Sequence, residues 1–360
     1  MEEGAQYYMK FSVIIPVHNA EKYIEESVLS ALGQRLPEQT SIEILLIENG
    51  SDDNSAGICD KFAGDNDAVF SFHIGKASAY EARQEGIRKA TGEWLIFMDA
   101  DDKACENLVS DLAEAVDMYD KKGVTPDVIL YNAAELDTPK QKMFKFPFLE
   151  NKVYGPTEKK DFYRLMCCGD SLNAMWNKCL GRDLAYDIVL GDEEMRLNHG
   201  EDLLQTAKII DRAKGIAYLD RILYLYRINE EGLTGSYHPE FINNQARAWE
   251  VFDIYADKWC KGEYADIIRQ RKSLTCTIGL KKLLYSELQV SDIKRRLKEM
   301  MSSGFYIEYA KGELPKWAPE EDVFVHSLQM ANNPGRALMF SCRKHKLKSF
   351  IKARIRKNGI

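Results

Sequence analysis

The chain has 360 residues, of which 45% are hydrophobic and 29% charged, and a formal net charge of −7 at pH 7. This acidic balance argues against nucleic-acid binding, and no run of about 18 apolar residues predicts a membrane span. The N-terminal MEEGAQYYMK lacks the basic and then apolar pattern of a secretion signal, so we expect a cytoplasmic protein. The length predicts two domains.

The eight cysteines contain no C-x-x-C pair and have no histidine at zinc-ligand spacing. They are predicted to be reduced structural thiols.

The first half of the chain alternates strand patterns with helix patterns. A buried strand is predicted in FSVIIPVHN, broken by Pro16 and Asn19, and a helix follows in AEKYIEESVLSALGQ. Further strands are predicted in IEILLIENG, AVFSFHIG, EWLIFMDADD and DVILYNAAEL, with a helix in ASAYEARQEGIRKAT. This alternation predicts an α/β fold with a mostly parallel sheet and helices on both faces. Ligands of such sheets bind at the carboxyl ends of the strands, where the loops PVHNAE and ENGSDD should open.

Three carboxylates, Asp99, Asp101 and Asp102, leave the fourth predicted strand. Residues two apart on a strand share a side, so Asp99 and Asp101 can converge while Asp102 begins the turn. Converging carboxylates repel one another unless a cation lies between them, and such oxygen ligands suit Mg²⁺ or Mn²⁺. The alternative is an acidic cap on a helix that starts near Lys103. The sequence contains neither a G-x-x-x-x-G-K-[ST] loop nor G-x-G-x-x-G.

A second acidic pair, Glu201 and Asp202, follows a glycine in NHGEDLLQTAKII and opens a predicted helix. On the residues alone, both acids fit the first turn of that helix, where they complement its dipole.

Three segments together, FSVIIPVHNAEKYIEESVLSALGQ, EILLIENGSDDNS and ARQEGIRKATGEWLIFMDADD, resemble the nucleotide-sugar-binding half of the inverting family 2 glycosyltransferases, which have the GT-A fold. Weaker similarity continues through WNKCLGRDL, GEDLL and YLYRINEEGLT to about residue 236. The resemblance therefore implies a catalytic domain over residues 1–238. Amphipathic helix patterns from about residue 240 predict a C-terminal helical region over residues 239–360.

The resemblance also implies roles for individual residues. Asp202 is expected to be the base that removes the acceptor proton, with Glu201 beside it. Asp102, Asp101 and Asp99 are expected to hold Mn²⁺ or Mg²⁺, and Asp101 can also reach the ribose. Arg83 would hold base or phosphate, its alternative being a solvated helix residue. The residues expected along the nucleotide are Pro16, His18, Asn19, Glu21, Glu48, Asn49, Arg83 and Asp101.

Glu48 and Asn49 depart from the acidic pair that is usual in the family, although asparagine can still hydrogen-bond a pyrimidine edge. Trp176, Asn177 and Lys178 are candidates for the acceptor side, because an aromatic ring suits the apolar face of a sugar. A buried core tryptophan is the alternative. Tyr226, Arg227 and the loop 229–237 are candidates for a flap near the diphosphate.

The last twenty residues contain eight Lys or Arg and no acid. In KLKSFIKARIRK, one helical face carries Leu347, Phe350, Ile351 and Ile355. Two interpretations fit this pattern: a helix on an anionic membrane surface, or a basic terminus that packs its apolar stripe on the helical region.

The sequence thus predicts a metal-dependent inverting glycosyltransferase that uses a nucleotide-sugar, a UDP-sugar by preference. The acceptor would be a glycan or a lipid-linked molecule in the synthesis of a surface polysaccharide or glycolipid. This enzyme would be cytoplasmic, and peripheral on the cytoplasmic membrane face under the first of the two interpretations of the tail. The alternatives are a Mg²⁺-dependent phosphotransferase, whose Asp-x-Asp motif normally follows the first strand, and a non-catalytic nucleotide-sugar-binding protein.

Overall fold

The computed structural model describes residues 9–188, 197–229 and 237–357, with side chains up to residue 348. Two compact units make up the chain. The first ends at Ile228 and lacks residues 167–169, which belong with the chain from Asn229 onward to the second unit. A functional domain boundary between residues 238 and 239 stays a prediction. Within the described ranges, no helix has both the length and the apolar character needed to cross a bilayer.

The first unit contains the strands and the helices between them. Its strands are β1 (Met9–Val17), β2 (Thr40–Glu48), β3 (Val69–His73), β4 (Trp94–Phe97), β5 (Lys103–Ala104), β6 (Val128–Glu135), β7 (Val153–Tyr154), β8 (Lys178–Gly181) and β9 (Ile216–Tyr226). Its helices are α1 (Ile24–Leu32), α2 (Ser55–Asp65), α3 (Ala79–Lys89), α4 (Leu108–Lys121), α5 (Lys160–Cys168), α6 (Arg182–Asp187) and α7 (Glu201–Arg212), with a 3₁₀ turn at Pro156–Glu158.

The strands form one sheet in the order β3-β2-β1-β4-β8-β6-β9-β5, and β7 pairs with β9. Strands β3, β2, β1 and β4 are parallel, as are β6 and β9. Strand β8 runs antiparallel between β4 and β6, and β5 and β7 are short antiparallel partners of β9. The predicted α/β class with a mostly parallel sheet is confirmed.

Strand β1 continues through Pro16, where a break was predicted. Its register with β2 extends to the pair Val17 and Glu48. The Ile14 carbonyl accepts from Met98 on the β4 side, and the Val17 carbonyl accepts from Asn49 on the β2 side. Because the groups of alternate residues point to opposite neighbours, Pro16 faces the β4 side, where pairing has already ended at Ile14. The proline therefore removes no ladder hydrogen bond.

Helices cover both faces of the sheet. Val13 and Ile15 of β1 lie in a core with Val28 of α1. Ile14 points to the opposite face, towards α3, where a Cβ added to Gly86 would lie 2.3 Å from Ile14 Cγ2. Only glycine allows α3 to lie this close to β1.

At the amino ends of the strands, a buried carboxylate is fully hydrogen-bonded. Glu43 of β2 accepts from Ser12 Oγ at 2.6 Å, from Thr91 N at 2.6 Å and from Thr91 Oγ1 at 2.7 Å. Lys10 Nζ lies 2.7 Å from Glu43 Oε2. Burial alone would raise the pKa of Glu43, but the hydrogen bonds from Lys10, Ser12 and Thr91 outweigh burial and lower the pKa to about 2.

The second unit is helical, as predicted for the C-terminal region. Its core includes Leu280 and Leu284, together with Leu297 and Leu338. The helices are α8 (Phe241–Cys260), α9 (Ala265–Tyr285), α10 (Val290–Met301), α11 (Gly304–Tyr309), α12 (Glu320–Gln329) and α13 (Pro334–Lys357).

Candidate functional site

Two loops at the carboxyl edge of the sheet are tied together by hydrogen bonds. Asn19, in a left-handed conformation with φ of 51°, donates its backbone N–H to Ser51 Oγ at 3.0 Å and accepts from the Asp52 N–H at 2.8 Å. Glu21 accepts from the Asn54 N–H at 3.0 Å. His18 is exposed beside Asn19. The predicted meeting of the PVHNAE and ENGSDD loops is therefore confirmed, and the carboxylate of Glu21 holds the second loop.

The two residues at the end of β2 behave differently. Glu48 is buried and accepts from the Ser51 N–H at 2.5 Å, and its other oxygen lies 3.2 Å from His73 Nδ1. Asn49 is buried and donates to the Ala77 carbonyl at 3.0 Å. In the described part of the chain, Asn49 Oδ1 has no hydrogen-bond donor. Glu48 thus stabilises the turn, whereas Asn49 retains an acceptor.

Arg83 connects the two predicted acidic motifs. It is 4% exposed, so the interpretation as a solvated helix residue is wrong. Its Nη1 donates to Asp202 Oδ1 at 2.6 Å and to Gln205 Oε1 at 3.2 Å. Its Nη2 lies 3.6 Å from Asp99 Oδ1. Burial alone would lower the pKa of Arg83, but the charges of Asp202 and Asp99 raise it.

The structure therefore places Asp99, at the exit of β4, and Asp202, in the first turn of α7, against one guanidinium. Arg83 and Asp202 are 119 residues apart in the sequence, and the fold brings them into contact. About two fifths of each carboxylate side chain remains exposed, 38% for Asp99 and 39% for Asp202. Both acids can consequently contact a ligand.

Asp102 differs from its two neighbours. It is 1% exposed; its Oδ2 accepts from Tyr224 Oη at 2.7 Å and its Oδ1 from the Arg227 N–H at 2.6 Å. Burial, with the nearby charge of Asp99, raises the pKa of Asp102 to about 8. Because Asp102 is buried and both of its oxygens accept hydrogen bonds within the protein, it is poorly placed to bind a metal ion.

The expected cluster of three metal ligands is thus not formed. Among the residues that the structure describes, no group of three or more His, Cys, Asp or Glu side chains is arranged to hold a metal ion. Asp102 points into the protein, and Asp99 is paired with Arg83. The partly exposed Asp101 and Asp99 leave two oxygen ligands at this edge. Two carboxylates fit Mg²⁺ or Mn²⁺ when substrate phosphates and water complete the coordination.

The alternative of an acidic helix cap at Lys103 is wrong. Lys103 and Ala104 form β5, which pairs with Leu225 and Tyr224 of β9, and α4 begins only at Leu108. The acidic loop is therefore fixed by strands on both sides.

Glu201 and Asp202 open α7 as predicted, after Gly200, which has φ of 94°. Burial and the neighbouring Asp202 raise the pKa of Glu201 to about 8. Glu201 is thus largely protonated at neutral pH. Asp202 forms a direct ion pair with Arg83, and 39% of its side chain is exposed.

The candidate acceptor residues lie inside the protein. Trp176 is 8% exposed and stacks on Tyr224 with ring centroids 4.8 Å apart, as the alternative core interpretation states. Asn177 is 0% exposed. Lys178 Nζ donates to the Leu172 carbonyl at 2.6 Å and to Asn177 Oδ1 at 2.9 Å, and burial lowers the pKa of Lys178 to about 7. Asn177 and Lys178 therefore do not line an acceptor surface.

Arg227 holds the acidic loop in place. Its Nε donates to the Asp101 carbonyl at 2.7 Å, its Nη2 is paired with Glu26, and its guanidinium lies over the Tyr23 ring. Tyr226 ends β9. Residues 230–236 of the predicted flap lie outside the described residues, so the flap stays a prediction.

Sequence reasoning missed several residues at this edge. His73 at the end of β3 bridges Glu48 and Asp60, and the hydrogen bond to Asp60 raises the pKa of His73. His73 could have been found from its position at the carboxyl end of a strand, where ligands of such sheets bind. Tyr224 and Gln205 have no local signal, because their partners Asp102 and Arg83 are more than a hundred residues away.

A mostly parallel sheet with acidic loops at its carboxyl edge defines the class of α/β proteins that bind ligands at that edge. The model of the glycosyl transferase family 2 matches residues 12–179. Residues 12–179 therefore match the family 2 glycosyltransferases, and the fold is of the GT-A type. The expected resemblance to this family and the expected fold are confirmed.

The similar proteins agree with this family. Glycosyltransferase GlyG of Streptococcus pneumoniae serotype 4 is 35% identical over 127 residues, which is 35% of this chain and 40% of that protein. The poly(ribitol-phosphate) beta-N-acetylglucosaminyltransferase TarS of Staphylococcus aureus is 27% identical over 233 residues, 62% of this chain and 36% of TarS. The chain thus spans well under half the length of these relatives.

A structure of S. aureus TarS 1-349 in complex with UDP-GlcNAc has the same fold. Its TM-score is 0.52 at 19% identity, and the alignment covers 98% of this chain and 92% of that one.

Proposed function

We propose that the protein transfers a sugar from a nucleotide-sugar, preferentially a UDP-sugar, to a hydroxyl group of a glycan or lipid-linked acceptor, with inversion at the anomeric carbon. The observation that carries this proposal is the convergence of Asp99 and Asp202 on Arg83 at the carboxyl edge of the sheet. This arrangement puts a carboxylate from α7 beside the acidic loop where a donor diphosphate would lie.

In this proposal Asp202 accepts the proton of the acceptor hydroxyl while the hydroxyl oxygen attacks the anomeric carbon. The bond to the diphosphate breaks on the opposite side, so a single displacement inverts the configuration. General-base catalysis of this kind contributes about 10²- to 10⁴-fold in rate. Arg83 orients Asp202 through its 2.6 Å contact. The protonated Glu201 is a neighbour of this base and does not replace it.

The donor side is proposed to lie along the loops of β1 and β2. Asn49 Oδ1 is a buried acceptor without a donor among the described residues, and a uracil N3–H group would supply one. Asn19 contacts Ser51 and Asp52 of the loop that follows Asn49, and His18 precedes Asn19 in the first of these tied loops. A UDP-sugar is also the donor in the TarS complex of the same fold.

Asp101 and Asp99 are the residues that would hold Mg²⁺ or Mn²⁺. When bound, such an ion stabilises the negative charge of the leaving diphosphate. Asp102 has a structural part in this proposal, because it fixes the loop to Tyr224 and Arg227.

The acceptor is proposed to be a component of a surface polysaccharide or glycolipid, since the similar protein TarS is a poly(ribitol-phosphate) beta-N-acetylglucosaminyltransferase. The proposed location is cytoplasmic.

The test is a thermal-shift titration with UDP, GDP, CDP and dTDP, each with and without Mn²⁺, followed by assay of UDP-sugars for transfer. A ligand of the folded state adds about 2.7 kcal/mol of stability at a hundred times its dissociation constant. We expect UDP with Mn²⁺ to raise the melting temperature most. Stabilisation by none of the four nucleotides would refute the proposal, and stabilisation by another one alone would refute the choice of base.

A further inference from the structure

Helix α13 has two faces with different environments. On one face, Leu338 and Cys342 are 0% exposed in the core of the second unit. The His345 ring stacks on Tyr285 with centroids 4.4 Å apart, and Lys346 Nζ donates to the Ser286 carbonyl at 2.5 Å. These contacts fix the helix to its unit.

The opposite face is exposed and carries both apolar and basic side chains. Phe340 is 71% exposed and Leu347 is 61% exposed. The spacing of the exposed residues follows the helical repeat, so they form a single stripe. We call this stripe the outer face of α13; it consists of Arg336, Phe340, Arg343, Lys344, Leu347 and Lys348.

The charge of this helix is of one sign. Its 24 residues contain nine Lys or Arg and no Asp or Glu, although the whole chain carries a net charge of −7. In the ranges with described side chains, no carboxylate forms an ion pair with Arg343, Lys344 or Lys348. Four of these nine lie in residues 349–357. The basic side chains of the outer face are therefore available to an external anion.

We propose that the outer face of α13 docks on an anionic membrane surface. Phe340 and Leu347 enter the boundary between headgroups and acyl chains, while Arg336, Arg343, Lys344 and Lys348 contact lipid phosphates. Each Lys or Arg at such a surface strengthens binding several-fold, and exposed apolar side chains supply the insertion that charge alone lacks. The remainder of the chain has a net negative charge, which the same surface repels.

A membrane explains both features of the outer face. A soluble polyanion would use the basic residues and leave a 71% exposed phenylalanine unexplained. A neutral apolar partner would leave the basic residues unexplained. The proposal concerns the second unit alone and holds whether or not the sugar-transfer proposal is right.

The experiment is vesicle flotation of the full chain without nucleotide, using phosphatidylcholine vesicles with and without phosphatidylglycerol. We expect binding to the anionic vesicles to be at least about tenfold stronger than binding to neutral vesicles, and to fall in about 1 M salt, where the Debye length is about 3 Å. Deletion of α13 would also remove the buried Leu338 and Cys342, so point variants give the sharper test.

Two variants address the two features of the face. One combines Phe340→Ser with Leu347→Ser, and the other combines Arg343→Glu, Lys344→Glu and Lys348→Glu. Each is expected to weaken binding to anionic vesicles by about tenfold or more. Ile307→Ser is the matched control, because Ile307 is 69% exposed on α11 and lies off this face. All variants should keep the thermal unfolding midpoint of the parent, since the substituted side chains are exposed.

Equal flotation of the parent and both variants would overturn the proposal. So would equal binding to neutral and anionic vesicles. A short DNA duplex serves as a soluble polyanion; if it binds the chain while anionic vesicles do not, the face binds polyanions and the membrane proposal fails.

Discussion

The two edges of the sheet both bury charged groups, but they satisfy them differently. At the amino edge, Glu43 has hydrogen-bond donors on both oxygens from Lys10, Ser12 and Thr91. At the carboxyl edge, Arg83 Nε and Asn49 Oδ1 are buried without hydrogen-bond partners among the described residues. Since buried polar groups are nearly always paired, the comparison separates a cluster that stabilises the fold from one that, in the proposed function, a ligand completes.

The largest effect is expected from Asp202→Asn at the carboxyl edge. The amide can still accept from Arg83, so the site keeps its shape, but it cannot take a proton. Transfer should fall about 10²- to 10⁴-fold while the nucleotide-dependent thermal shift is unchanged. Glu201→Gln is the control and should lose far less activity. Initial rates with saturating donor measure both, and a parental rate for Asp202→Asn would remove this residue from the mechanism.

At the amino edge, Glu43→Gln should affect stability alone. The folded-state pKa of Glu43, about 2, lies below its ordinary value of 4.5. Its stabilising contribution is therefore present above pH 4.5 and is lost as the pH falls towards 2. We expect a loss of about 2–3 kcal/mol at pH 7, and convergence with the parent in acid.

Denaturant unfolding at several pH values measures this difference. Glu38→Gln, at an exposed position, is the control and should unfold like the parent. A pH-independent loss in Glu43→Gln would mean that packing, and not the ionised carboxylate, is the cause.

A smaller effect is expected from Asn49→Leu. This change removes the unpaired acceptor and keeps the volume, so the dissociation constant of the stabilising nucleotide should rise about 2- to 10-fold. Calorimetric titration measures it. The mutation also removes the hydrogen bond to the Ala77 carbonyl, so unfolding without nucleotide is measured in parallel. Unchanged affinity would show that Asn49 does not contact the base.

The smallest effect is expected from Asp102→Asn. Asp102 is buried and both of its oxygens accept hydrogen bonds within the protein, and an amide keeps one of these acceptors. The Mn²⁺-dependent part of the thermal shift should change less than twofold, about 0.4 kcal/mol at most. Asp101→Asn should abolish that part. The reverse pattern would restore Asp102 as a metal ligand.

Sequence patterns predicted the half of the sheet in which strands and helices alternate along the chain. The apolar runs of β1, β2 and β4 and the helix periods between them are visible within ten to fifteen residues. The antiparallel insertion of β8, four residues long, has no such signal, because its neighbours β4 and β6 come from distant segments.

The same limit applies to the site. The acids were predicted from their position after β4 and at the start of α7, and the structure brings Asp99 and Asp202 together. The different environment of Asp102 was not predictable, because it is set by Tyr224 and Arg227. Lys178 was predicted to line the acceptor side, because the sequence around it does not show that its Nζ donates to the Leu172 carbonyl.

The hydrogen bonds of Asp102 with Tyr224 and Arg227, which hold the acidic loop, also have a consequence for biosynthesis. Asp102 and Tyr224 are separated by 122 residues, and the segment matched by the family model ends at residue 179. At a ribosomal elongation rate of about 5–20 residues per second, roughly 6–24 s pass between the synthesis of these two residues. During that interval the nascent chain already carries its acidic loop but lacks the tyrosine and arginine that hold it.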